Sequence, residues 1–172
     1  GLTVMDEAFQ LKQPNVSDDL SQIVSMLEQC NDYGFHTVLR PQPWKMHLQA
    51  WRTTPGYLDP LILNYAKVFR HVPRTKNAFQ LIGEPNFDYS ATGVQASTEY
   101  LESEFGRLIP AIRSIVPDLT LVLPSAGFCH AASGEFRWLT KPYENTIRAA
   151  DLYGSDAASV GALDAFYKAK GW

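Results

Sequence analysis

The fold of this chain is decided by one segment, Ala78-Phe79-Gln80-Leu81-Ile82-Gly83-Glu84-Pro85-Asn86. Its first five residues are mostly apolar, and their number and composition are typical of a short buried β-strand. Glu84 follows this apolar run after one glycine, Gly83, and the next residue, Pro85, restricts its backbone. The segment therefore predicts a buried strand that ends in a carboxylate.

Helices with one apolar face are predicted on both sides of this strand. Upstream, Ser17 is a good N-cap for a helix that extends to Cys30, with acidic residues in its first turn. A second helix has Pro60 in a position that suits the first helical turn. Downstream, a third helix spans residues 98–116, and Pro110 should kink or divide it.

The remaining elements alternate with these helices. Further strands are predicted at 35–39, 120–123 and 145–150, which makes four with 78–82, and a last helix at 160–167; the first 16 residues offer only a candidate strand near 2–5. Every connection between strands is too long for a hairpin, so the strands should pair in parallel with right-handed crossovers. The sequence thus predicts a single domain, residues 1–172, of the α/β class.

Composition removes several classes of function. The chain has 172 residues, of which 45% are hydrophobic, and no apolar run approaches the roughly 20 residues of a membrane span. The 15 basic and 18 acidic residues are scattered, which argues against a nucleic-acid partner. Cys30 and Cys129 form neither a disulfide framework nor a metal-ligand spacing, so we expect no metal and no cofactor.

In parallel α/β folds the functional groups collect where strands end, at the carboxyl side of the sheet. The corresponding stretches here are residues 40–44, 83–86, 124–127 and 151–154. The second is the most informative, because a carboxyl group at a strand end, partly shielded by apolar neighbours, suits a general acid. Alone, such a Glu is more often a solvated loop acid or a helix cap.

The segment 79–86 resembles the Asn-Glu-Pro strand of glycoside hydrolase family 5, the cellulase-like family of TIM-barrel hydrolases. The likeness continues in the same order over residues 18–155. The segment 35–41 is similar to the third barrel strand, 112–124 to the following helix and fifth strand, and 143–153 to the sixth strand. The resemblance implies a partial or shortened (β/α)8 barrel containing the third to sixth strands.

The resemblance also implies site residues. Glu84 matches the acid/base, Tyr153 matches the tyrosine of the sixth strand, and Arg40 lies near the position of a third-strand histidine. Three features depart from the family pattern: Gly83 replaces an asparagine that holds the sugar 2-hydroxyl, Asp151 replaces a histidine, and no second Glu has a matching context. Asp151 is then the one carboxylate placed to act as a second catalytic group.

Other residues on this side of the sheet could contact a saccharide. Flat aromatic side chains stack on sugar rings, and those in or near the predicted loops are Trp44, Trp51, Tyr57, Tyr89 and Trp138. Asn86 completes the expected substrate-binding set. Loop packing is an equal alternative for each aromatic. We expect His47 to be a surface residue and His36 to be packed on its strand.

Together these features predict a glycoside hydrolase acting on a β-linked glucan or a related polysaccharide, with no nucleic acid and no membrane as partner. Four parallel strands cannot close a barrel of eight. The chain could be a fragment, a shortened relative that closes its sheet as a homodimer of half-barrels, or a degenerate relative that binds saccharide without cleaving it. The last is the main alternative function. A further alternative is an open α/β domain unrelated to hydrolases.

Overall fold

A computed structural model of the protein describes residues 2–4, 20–41, 43, 45–83, 96–124 and 143–149, and positions 161, 165, 168 and 169. The elements in chain order are β1 (Leu2–Val4), α1 (Ser21–Asp32), β2 (Thr37–Pro41), α2 (Lys45–Thr53), α3 (Asp59–Ala66), β3 (Asn77–Gln80), α4 (Thr98–Ile115), β4 (Thr120–Pro124) and β5 (Thr146–Ala149). A 3-10 turn, Lys67–Arg70, extends α3.

The five strands form one sheet in the order β1-β2-β3-β4-β5, and every neighbouring pair is parallel. Spatial order equals chain order, so each crossover returns to the adjacent position, as in a barrel and unlike a doubly wound sheet. The predicted fold class is confirmed: strands and helices alternate in a partial α/β barrel.

The core lies between the sheet and the helices. Leu39, Phe79 and Leu121 are fully buried on one face of the three central strands. They pack in a single apolar cluster with residues of the helices, the largest of which are Trp51, Tyr65, Phe69 and Phe105. The predicted inward faces of α3 and α4 are therefore confirmed.

The α4 helix excludes division at Pro110, which is one of the two effects predicted for this proline. Pro110 lies inside a single helix and does not divide it. The proline removes the hydrogen bond that the carbonyl of Gly106 would accept, yet both residues are exposed, so water can take over that bond. The start of the helix is capped conventionally, since the Ser97 hydroxyl accepts a hydrogen bond from the Tyr100 backbone N–H at 3.1 Å.

Element boundaries differ from the prediction near the N-terminal half. The α1 helix begins at Ser21 with Leu20 as its N-cap and no side-chain capping bond; the predicted cap, Ser17, lies outside the described residues. The β2 strand begins at Thr37, so Phe35, which is 63% exposed, precedes it. His36 is exposed as well, and the prediction that it packs on its strand is wrong.

The α2 helix was not predicted from the sequence, where Trp44, Trp51 and Tyr57 were placed in or near loops. Its buried residues are His47, Leu48, Trp51 and Arg52. This spacing of one, three and one positions is helical. Two of the four are polar, however, so the apolar pattern alone does not reveal the helix.

A buried polar cluster joins α1 to the amino ends of β2 and β3. Asn77 Nδ2 donates to Asn31 Oδ1 at 2.7 Å and to the Pro73 carbonyl at 2.6 Å. Asn77 Oδ1 accepts from the hydroxyl of Thr37 and from Asn31 Nδ2, the latter at 3.3 Å. Asn31 Nδ2 also donates to the Phe35 carbonyl at 3.1 Å. This asparagine cluster fixes α1 against the two strands at the amino edge of the sheet.

Among the helices of the described residues, none combines the length and the apolar character that crossing a bilayer requires.

Candidate active site

Parallel strands place all their carboxyl ends at one edge of the sheet. In β3 the last strand residue is Gln80, and the backbone N–H of Leu81 still donates to the Val122 carbonyl of β4 at 3.4 Å. Leu81, Ile82 and Gly83 are buried. The chain thus leaves the sheet through an apolar stretch before it reaches Glu84.

Arg40 lies one residue before the end of β2, and it is half-buried. The register pairs Leu39 with Phe79, and its continuation places Arg40 beside Gln80. Because side chains alternate along a strand, both lie on the face opposite to Leu39, away from the helix layer. A cationic side chain in this place could bind a polar ligand at the carboxyl edge, and its role in binding stays a prediction.

Gln80 was not selected by sequence reasoning. It is buried, and its Nε2 donates to the Ile82 carbonyl at 3.3 Å. This side chain supplies a hydrogen-bond donor where the strand ladder ends, and the acceptor belongs to the residue two positions before Glu84. Nothing in the sequence separates Gln80 from any other polar residue of an alternating strand.

The other predicted site residues lie outside the described residues. They are Trp44, Glu84, Asn86, Tyr89, Trp138, Asp151 and Tyr153. Their assembly around one cleft therefore remains a prediction.

Two further side chains lie elsewhere than expected. Trp51 is fully buried in the helix layer, so it is a core residue and not a sugar-stacking surface. His47 is also buried, and the expectation of a surface histidine is wrong. Its Nδ1 lies 3.0 Å from the hydroxyl of Tyr57, which is half-buried in the loop after α2. The α2 helix, which was not predicted, explains the burial of both residues.

A buried carboxylate connects α2, the loop after it and α4. Glu104 is 1% exposed, and its Oε2 accepts three hydrogen bonds: from Trp51 Nε1 at 2.9 Å, from the Gly56 backbone N–H at 3.1 Å and from Arg107 Nη2 at 2.8 Å. Arg107 also forms an ion pair with Asp59, the first residue of α3. We call Glu104, Trp51, Gly56, Arg107 and Asp59 the Glu104 cluster.

Tyr100 adds a neighbouring contact. Its hydroxyl donates to the Trp51 carbonyl, and the two rings meet edge to face with centroids 5.4 Å apart. Burial of the phenol, and secondly the negative charge of Glu104, raise the pKa of Tyr100 well above its usual value. The hydroxyl therefore remains a donor throughout the physiological pH range.

Gly56 occupies its place in the Glu104 cluster because of its backbone conformation. Its φ is +78°, in the left-handed region that favours glycine. An added Cβ would lie 3.5 Å from Asp59 Oδ2, so space is not the obstacle. We expect Gly56→Ala to lower the free energy of unfolding by about 1 to 2 kcal/mol, because an L-residue is strained in this region.

Urea titration of the variant measures this loss. The control is Gly106→Ala, because Gly106 is an exposed helical glycine without positive φ, where alanine should be neutral or stabilising. Equal effects of the two substitutions would contradict the role assigned to the conformation of Gly56.

Within the described part of the chain, no three His, Cys, Asp or Glu side chains are grouped as metal ligands. The absence of a cofactor stays a prediction.

Comparison with solved structures identifies the architecture. An endoglucanase superposes with a TM-score of 0.68 over 98% of this chain at 10% sequence identity. A xyloglucan-specific endo-β-1,4-glucanase of glycoside hydrolase family 5 from a metagenomic library, in complex with cellotriose, superposes with a TM-score of 0.63 over 96% of the chain at 14% identity. The fold is cellulase-like.

A third solved structure that is similar to this chain is the cellulose synthase subunit Z of Clostridioides difficile. It superposes with a TM-score of 0.56 over 85% of the chain at 14% identity. The chain spans 62%, 57% and 48% of the lengths of these three proteins. Neither a protein-family model nor a curated protein sequence matches it. At these identities the likeness establishes the fold alone.

Proposed function

We propose that this protein is a glycoside hydrolase of the family 5 type that acts on a β-linked glucan or a related polysaccharide, with Glu84 as the proton donor. The observation that carries the proposal is the position of residues 81–83. They continue β3 of a cellulase-like sheet, and the next residue is the glutamate of the Gly-Glu-Pro-Asn sequence.

The surroundings of this strand end support acid catalysis. Leu81 and Ile82 are buried, and the proposal assigns partial desolvation to the carboxyl group of Glu84, which comes two residues after Ile82. Desolvation favours the protonated form of a carboxylic acid, which is the form that gives a proton to the leaving oxygen. Arg40 on the adjacent strand supplies a cationic hydrogen-bond donor near the same edge.

The proposed second carboxylate is Asp151. Glycoside hydrolysis requires a partner carboxylate about 5 to 5.5 Å away for retention of configuration, or about 6.5 to 9.5 Å away for inversion. One residue separates Asp151 from the end of β5, and β5 is two strands away from β3. This short separation supports a role for Asp151 near the carboxyl edge. Trp44, Asn86, Tyr89, Trp138 and Tyr153 complete the proposed saccharide site.

The alternative function is a protein that binds saccharide without cleaving it. It is favoured by Gly83, which is buried and has no side chain that could hold the sugar 2-hydroxyl. That hydrogen bond strengthens in the transition state of the hydrolases, so its loss reduces catalysis more than binding.

Assay of the purified chain with aryl β-glycosides, xyloglucan and cellotriose tests the two functions. We expect turnover of a β-linked substrate, and binding of cellotriose in calorimetry but not of maltotriose, the α-linked control. Saccharide binding without turnover would leave the binding function as the conclusion, and neither binding nor turnover would overturn both.

The homodimer remains a separate proposal. It is supported by Ile147 of β5, an apolar side chain that is 54% exposed. Within the described sheet this side chain lies on the face opposite to the helix core, where a second copy would cover it. Light scattering of the purified chain measures its mass, and a monodisperse monomer would contradict closure by a second copy.

A further inference from the structure

A concave surface lies at the amino edge of the sheet, opposite to the edge at which we propose the saccharide site. It is lined by residues 69–75, which lead from the 3-10 turn into β3, and by residues 115–117, which end α4 and precede β4. All of these residues belong to the described part of the chain. The concavity has a volume of about 510 Å³, within the range of small-molecule sites. We call it the amino-edge groove.

The amino-edge groove is lined by basic side chains and by no carboxylate. The basic residues are Arg70, His71 and Arg74. They belong to the stretch 67–76, in which five residues are Lys, Arg or His and none is acidic, although basic residues are scattered over the chain as a whole. The two valines and the phenylalanine of this stretch are buried, whereas these three basic residues are exposed. Folding thus concentrates positive charge at one place on a chain whose formal net charge is -3.

Little of this charge is neutralised within the protein. Among the described residues, no carboxylate forms an ion pair with Arg70 or His71. Arg74 Nη1 lies 3.6 Å from Asp118 Oδ2, and the two side chains are 45% and 83% exposed. Solvent screens a pair that is so exposed, and the pair therefore contributes little to stability. An anion in the groove can consequently take the place of the Asp118 carboxylate.

Arg70 is held in a position to bind a ligand. Its Nε donates to the carbonyl of Ile115, the last residue of α4, at 3.4 Å. This bond offsets part of the negative charge at the carboxyl end of the helix, which would otherwise oppose an anion. It also restricts the side chain, so less rotational freedom is lost when a ligand binds. Within the described part of the chain, no residue accepts a hydrogen bond from the terminal Nη1 and Nη2 of Arg70.

The side chains of the groove suit a phosphate group. Arginine binds carboxylate and phosphate oxygens through paired N–H···O bonds. Two arginines with His71 beside them favour a dianion over a monoanion, because the attraction grows with the charge of the ligand. A phosphate monoester carries about -1.5 to -2 charges at pH 7 and three acceptor oxygens. The groove also offers apolar contacts, since Ile115 is half-buried and Pro73 and Pro117 are exposed.

We propose that the amino-edge groove binds an organic phosphate, a phosphate monoester joined to an apolar group, with Arg70 and Arg74 as the phosphate-binding residues. The ligand is not the substrate of the proposed hydrolysis, because the groove and the proposed saccharide site lie at opposite edges of the sheet. The outcome for the groove is therefore independent of the proposed function.

Titration of the purified chain with phenyl phosphate, followed by calorimetry and by NMR of the backbone amides, tests the proposal. We expect saturable binding, with the largest chemical-shift changes at residues 69–75 and 115–118. Benzoate, which carries a single charge, should bind at least about five-fold more weakly. Inorganic phosphate, which lacks the apolar group, should bind at least about three-fold more weakly. The proposal is wrong if phenyl phosphate does not saturate, if the shifts occur elsewhere, or if either comparison ligand binds equally well.

Substitution of the two arginines tests their assignment. We expect Arg70→Gln and Arg74→Gln each to weaken the binding of phenyl phosphate by at least about ten-fold, because each removes charge-assisted hydrogen bonds. Lys67→Gln is the matched control. Lys67 is an exposed cation of the same 3-10 turn that does not line the groove, so its loss should weaken binding by less than about two-fold. Equal weakening by all three variants would show only a general attraction of anions and overturn the proposal.

Asp118→Asn provides a test of opposite sign. It removes the carboxylate that competes for Arg74, so phenyl phosphate should bind about two- to three-fold more tightly. Unchanged or weaker binding would contradict the role of Arg74. Should Arg70→Gln fail to fold because the end of α4 loses its bond to Arg70, the variants of Arg74 and Asp118 still decide the question, since both side chains are exposed.

Discussion

Replacement of Glu84 by glutamine is expected to lower the turnover of β-linked substrates by about 10²- to 10⁴-fold, the usual contribution of a general acid. Glutamine is nearly isosteric with glutamate, so it can occupy the same place after Gly83. It has no proton to give to the leaving oxygen, however. The affinity for cellotriose should therefore change much less than the turnover.

The rate effect is measured with an aryl β-glycoside and with a polysaccharide substrate. A substrate with an activated leaving group needs less protonation, so its turnover should fall by a smaller factor than that of the polysaccharide. The charge-matched control is Glu28→Gln, because Glu28 is an exposed residue of α1. Turnover of both substrates at the original rate in Glu84→Gln would exclude Glu84 as the proton donor.

Replacement of Asn77 by alanine is expected to have the largest effect on stability, a loss of about 3 kcal/mol. Asn77 is 3% exposed, and its side chain has hydrogen bonds with Asn31, Thr37 and the Pro73 carbonyl. Alanine leaves the polar groups of Asn31 and Thr37 buried and without this partner, and each such group costs about 1 to 3 kcal/mol. Relaxation around the new space should reduce the sum.

Chemical denaturation of Asn77→Ala provides this measurement, and Thr75→Ala is its control. Thr75 precedes β3 by two residues and is exposed, so its replacement should change the free energy of unfolding by at most about 0.5 kcal/mol. A loss below about 1 kcal/mol in Asn77→Ala would mean that the asparagine cluster is not a significant stabilising contact.

Much of the fold could be predicted because its signals are local. The apolar run 78–82 and the one-sided faces of α3 and α4 specify strands and helices within a few residues of sequence. The parallel order then follows from the length of the connections. The boundaries were less accurate: β3 is observed at Asn77–Gln80, since the ladder with β4 ends sooner than the apolar run does.

The α2 helix and the state of His47 could not be predicted in the same way. The helix presents two polar residues, His47 and Arg52, to the interior, so its buried face does not look apolar in the sequence. The burial of a histidine depends on which residues pack against it in the folded chain, and the sequence around it does not show them. Here Tyr57 and the neighbouring core residues pack against His47.

By itself the sequence determined the alternation of strands and helices and the apolar faces of α3 and α4, because these follow from periodicity and chain connectivity. The role of Glu84 near the end of a strand stays a prediction. Only the tertiary structure decided which polar side chains become buried contacts. Asn31 and Asn77 are 46 positions apart, and Glu104 accepts bonds from residues 48 and 53 positions away. Folding brings these distant partners to within about 3 Å of one another, and no local pattern in the sequence encodes which partner a buried polar group will meet.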